Sequence, residues 1–176
     1  MTMKTLEECA LWYKGMGLWV YPYPSDTQCD YWKYWKPVTQ EQYEKMFGGY
    51  DWATAVGVKG VVGKKGSRVV RLKWDGTESF DNEMLKDCLC RMGLPDDYPW
   101  VMQVHGWLDI MVDTPNVSQR VKGQTNLSLK QGVLVWQGEY VLPSVGVPVY
   151  FYKNRLPSER PVQISDDVLM DYVETL

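Results

Sequence analysis

Apolar positions along the chain fall into two rhythms. Leu6, Cys9, Ala10 and Tyr13 recur at helical spacing behind a Thr5-Leu6-Glu7-Glu8 capping box, and Gly15 and Gly17 end that helix. Leu18 to Tyr21 reads as a short strand stopped by Pro22 and Pro24. Residues 25–38 read as a loop, and Thr39-Gln40-Glu41-Gln42 caps a second helix to about Phe47. Strands follow at 53–58 and 68–74, joined by a turn rich in glycine. Met84, Leu85, Cys88, Leu89 and Met92 line one face of a helix from Asp81 to Met92, with Gly93 and Pro95 as stops. Further strands are predicted near 100–104, 108–113, 125–129, 132–136, 139–142 and 148–152. Ser165-Asp166-Asp167 caps a last helix carrying Val168, Leu169, Tyr172 and Val173. The order predicts an α+β fold, a mixed but mostly antiparallel sheet with flanking helices, as a single domain over 1–176.

Composition narrows the classes. At 176 residues, 45% hydrophobic and 23% charged, the chain matches an ordinary soluble globule. A net charge of -3 and a pI near 5.2 argue against a strong nonspecific duplex DNA binder. No apolar run is long enough for a membrane span, and the first residues are too polar for a signal peptide. Cys9, Cys29, Cys88 and Cys90 form no CxxC pair, so free thiols in a reducing cytoplasm are the expectation. His105 is the single histidine, which excludes multi-histidine metal sites.

The chemistry concentrates at the end of one strand. Val69-Val70-Arg71-Leu72-Lys73-Trp74-Asp75-Gly76 reads as a buried strand running into a turn. Residues two apart share a strand face, so Lys73 and Asp75 project together. Two acids there would hold one or two divalent ions, as nucleotidyl transferases require. Here one of the two is an ammonium, which neutralises Asp75 and repels a cation.

Four segments, in order, resemble the N-terminal domain of bifunctional DNA primase-polymerases, the Prim-Pol branch of the archaeo-eukaryotic primase superfamily. They are the helix ending Ala10 to Gly17 with the strand Leu18 to Pro22; Trp52 to Val58 with Val69 to Asp75; Val101 to Val112; and Gly138 to Tyr150. Together they cover about residues 5 to 160. The resemblance implies a Prim-Pol/RRM-like core, DNA replication in a prokaryotic or mobile-element system, and Mg or Mn as cofactor if the chain is active. It also implies nucleotides or single-stranded DNA as partners, beside a helicase or other replication protein. The departures fall at the chemistry. The family's first metal-site acid aligns with Lys73, its second with Asp75, and its histidine with Asp109. The later strand Val133-Leu134-Val135-Trp136 carries no acid.

Each candidate has a functional and a bland reading. Asp75 is the surviving metal ligand or a turn former before Gly76. Lys73 binds a phosphate or pairs with Asp75. Asp109 adds a carboxylate near Asp75 if their strands are neighbours, or faces solvent. His105 touches a nucleotide phosphate or decorates a surface turn. Lys64 and Lys65 meet a nucleic-acid backbone or cap a solvated hairpin. Tyr34, Trp35 and Lys36 belong to a stretch alternating aromatics with lysines, which stacks on single strands or packs on the sheet. Two functions remain open: a primase/polymerase-like domain, catalytically impaired but still binding nucleotide or single-stranded DNA, and a non-catalytic protein-interaction module on the same scaffold.

Overall fold

A computed structural model describes residues 5–18, 20–23, 55–59, 66–73, 81–104, 106–114, 126–130, 133–136 and 139–175. The expected helix at 39–47 and the 25–38 loop lie outside them. The fold is α+β, and among the described residues the strands all pair antiparallel, with one isolated parallel bridge between Asp113 and Gln163. The chain divides into two compact units: Met1–Lys59 with Glu139–Val149 and Ser158–Arg160, and Gly60–Gly138 with Tyr150–Pro157 and Pro161–Leu176.

In the first unit, helix α1 (Leu6–Gly15) opens on the expected capping box. Thr5 Oγ1 accepts from the Glu8 amide at 3.1 Å, and the Glu8 carboxylate accepts from the Thr5 amide at 3.2 Å. The helix closes at Gly17, whose φ of +84° is the left-handed conformation glycine adopts without a Cβ clash. Cys9, Ala10 and Tyr13 form its buried face, and the Tyr13 hydroxyl donates to the Pro143 carbonyl. A three-stranded sheet runs in the order β1 (Val20–Tyr23), β2 (Ala55–Lys59), β8 (Glu139–Val141). Strand β1 does not stop at Pro22 as expected but continues to Tyr23. Among the described strands it lies at the sheet edge, where proline is tolerated.

The second unit is built on a six-stranded sheet. Its strands in chain order are β3 (Gly66–Lys73), β4 (Val101–Val104), β5 (Trp107–Thr114), β6 (Asn126–Lys130), β7 (Val133–Trp136) and β9 (Tyr150–Phe151). Across the sheet the order is β6-β7-β3-β5-β4-β9. Val69, Val70, Leu72, Leu108, Ile110, Met111, Val112, Val101 and Met102 are all buried. These central strands bury both faces, which explains why they read as near-continuous apolar runs rather than alternating ones.

Helix α2 (Lys86–Arg91) follows a π-turn at Asp81–Leu85 instead of forming one α-helix from Asp81. Its Cys88 and Leu89 are buried, and it ends at Gly93 (φ +72°). The Leu94 amide reaches the Leu89 carbonyl at 2.8 Å and the Gly93 amide the Cys90 carbonyl at 3.0 Å, a Schellman closure. Helix α3 (Asp166–Glu174) is capped by Ser165, whose Oγ accepts from the Val168 amide at 3.3 Å. Arg91 on α2 donates to Thr175 Oγ1 at 2.8 Å, and its guanidinium carbon lies 5.8 Å from the Tyr172 ring centre, which ties α2 to α3.

Candidate functional site

Strand β3 is paired with β5 over its whole length, so the strand pair that the sequence reading required is present. The register sets Arg71 opposite Asp109 and Lys73 opposite Trp107. Directly opposed residues stand side by side on one sheet face. Arg71 and Asp109 accordingly meet as a fork: Nε to Oδ1 at 2.8 Å and Nη2 to Oδ2 at 2.8 Å. Both carboxylate oxygens thus rest on one planar guanidinium, the strongest geometry for such a pair. The alternative of a solvated Asp109 does not hold, because its side chain is 0% exposed while that of Arg71 is 31% exposed. The Arg71 guanidinium carbon also lies 5.6 Å from the ring centre of the half-buried Trp107, a cation–π distance.

As arranged, Asp109 does not fit a Mg or Mn ligand. A divalent ion needs carboxylate oxygens at about 2.0–2.6 Å with their lone pairs turned to it. At Asp109 each oxygen already accepts an N–H, and a fixed positive charge stands where the ion would approach. Among the described residues, no three His, Cys, Asp or Glu side chains converge on a common point.

Lys73 is the last residue of β3. Asp75, His105, Lys64, Lys65, Tyr34, Trp35 and Lys36 lie outside the described residues. Gly106, at the expected bend between β4 and β5, has φ +76°. The residue that sequence reasoning missed is Arg71. Its signal was available: it stands two positions before Lys73 on the same strand, so the spacing that paired Lys73 with Asp75 also placed Arg71 on that face.

A second charged pair was also missed. Arg68 on β3 and Asp166 at the start of α3 are both fully buried, with Arg68 Nε 3.3 Å from Asp166 Oδ1 and Nη2 3.5 Å from Oδ2. Burial pushes the Arg68 pKa down, and the nearby Asp166 and Asp113 carboxylates oppose that shift. Asp113 is tied to the segment before α3, since its amide donates to the Val162 carbonyl and its carbonyl accepts from the Ile164 amide. These contacts fix α3 to the end of β5 and carry structure rather than chemistry. Neither protein-family models nor curated proteins give a match to the sequence.

Proposed function

We propose that the chain is a primase/polymerase-like domain that binds nucleotide or single-stranded DNA without performing template-directed synthesis. The observation that carries this reading is the Arg71–Asp109 fork beside Trp107. It ties up a carboxylate of the strand pair and sets a partly exposed guanidinium next to an aromatic ring. A guanidinium that is 31% exposed offers a phosphate contact, and a half-buried indole offers a surface for a base. Lys73, at the end of the same strand, supplies a further cation at the position where the family resemblance expects an acid. The reading places the protein in the cytoplasm beside replication proteins. No described helix is long and apolar enough to cross a membrane.

The test is titration of a labelled oligo(dT) and of dNTPs, followed by primer extension with Mg or Mn. Salt-sensitive saturation is expected. Trp107→Ala should weaken oligonucleotide binding at least about fivefold, the lower end of what one stacked base contributes. Primer extension should stay at background. Extension that disappears in Asp75→Ala would instead establish an active polymerase. The acidic balance, -3 overall, favours one rival, a protein-interaction module. Absence of any nucleotide or oligonucleotide binding would select it.

A further inference from the structure

Away from the β3–β5 fork, in the same unit, a cavity of about 230 Å³ opens between the start of α2, the 95–99 loop and the turn after β9. Leu85 and Tyr152, both buried, form its apolar wall. Lys86, Lys153 and Arg155 bring three cations to it, and Asp96 and Asp97 bring two carboxylates. The cluster therefore holds one positive charge in excess, in a chain whose net charge is -3.

Two of these walls have unusual backbone. The π-turn Asp81–Leu85 delivers Leu85 and Lys86, and such turns concentrate at functional sites. Lys153 and Asn154 are consecutive non-glycine residues with φ of 53° and 54°, a conformation that persists only where the surroundings impose it. The cations are also oriented. Lys153 Nζ lies 5.2 Å from the Tyr152 ring centre, and Arg155 Nη1 donates to the Asp96 carbonyl at 3.4 Å.

We infer that this cavity binds a small phosphomonoester bearing hydroxyl groups, with Lys86, Lys153 and Arg155 on the phosphate and Asp96 and Asp97 accepting from the hydroxyls. Such a ligand uses both signs of charge, whereas a bare anion would engage the cations alone and offer the two carboxylates no donor. The volume is below that of sites for drug-sized molecules, about 300–1,000 Å³, and suits a sugar phosphate or one nucleoside monophosphate.

Calorimetric titration of the full chain with ribose 5-phosphate, AMP, ribose and inorganic phosphate tests this. Ribose 5-phosphate should saturate the protein by about 10 mM, and ribose should not. AMP tighter than ribose 5-phosphate would identify a nucleotide as the ligand, and equal affinities a sugar phosphate. Lys153→Gly removes a cation and relieves the positive φ. It should therefore weaken ribose 5-phosphate binding severalfold while its melting temperature stays at or above that of the parent. Asp97→Asn should weaken ribose 5-phosphate but not inorganic phosphate. Trp107→Ala should leave this binding unchanged, which separates the site from the proposed nucleic-acid face. Failure to saturate, saturation unchanged in Lys153→Gly, or tighter ribose 5-phosphate binding in Asp97→Asn would each overturn the proposal.

Discussion

At the scale of single residues, the asymmetry of the Arg71–Asp109 pair decides what each substitution does. Asp109 is fully buried and Arg71 is partly exposed. Arg71→Leu leaves a carboxylate in the interior with its principal counter-charge gone, and should destabilise the fold by about 3 kcal/mol. Asp109→Asn removes the buried charge and leaves a guanidinium that water reaches, so its effect should be smaller, roughly 1–2 kcal/mol. Urea unfolding of the two variants checks the order. An equal or reversed pair of losses would mean that the pair is not organised by burial. From the sequence, Asp109 lies beside β3 only if the two strands are neighbours, and nothing local names Arg71 as its partner. The register that sets Arg71 against Asp109, 38 residues later, is a long-range property of two strands.

At the scale of elements, legibility followed how local the determining physics is. The capping box at Thr5, the glycine closures at Gly17 and Gly93 and the Ser165 cap are built from neighbours in sequence, and all are present. The π-turn before α2 and the passage of β1 through Pro22 were not legible. The second depends on the place of β1 at the edge of the described sheet, which is not a local property. The Arg68–Asp166 contact has the same character, since it joins a strand to a helix 98 residues later. The Asp113 charge favours the Arg68 cation as well, more weakly than that of Asp166. Arg68→Met should therefore leave two buried carboxylates under-compensated and destabilise by about 3–5 kcal/mol. Asp166→Asn, which leaves Asp113 to balance the guanidinium, should do less. Chemical denaturation measures the difference, and hydrogen exchange in α3 should report the loss first, because the contact is at that helix's start.

At the scale of the whole molecule, the buried ionisable groups set a common response to alkali. Burial pushes the pKa values of Tyr13, Tyr98 and Tyr172 well up, raises that of Cys9, and pushes that of Cys88 up to about 12. Both compact units contribute, Cys9 and Tyr13 in one and Cys88, Tyr98 and Tyr172 in the other. In the unfolded chain these thiols and phenols release their protons at about 8.5 and 10. The folded state holds the same protons to higher pH, so it binds more protons than the unfolded state throughout that window. Stability is then complete below about pH 8.5 and falls as pH rises through the window. The depressed Arg68 has the opposite sign, but a guanidinium titrates above this range and does not offset the loss. Each phenol should contribute on the order of 1 kcal/mol of the loss at pH 11. Melting temperature should accordingly be level from pH 7 to 8.5 and fall by several degrees between 9 and 11. Tyr98 gives the sharpest check, because its hydroxyl donates to the Met111 carbonyl at 2.7 Å and accepts from the Val162 amide at 3.0 Å. Tyr98→Phe loses both bonds and should melt lower at pH 7, yet decline less steeply in alkali, since one titrating group is gone. A variant whose alkaline slope matched the parent's would show that the buried phenols do not govern the response.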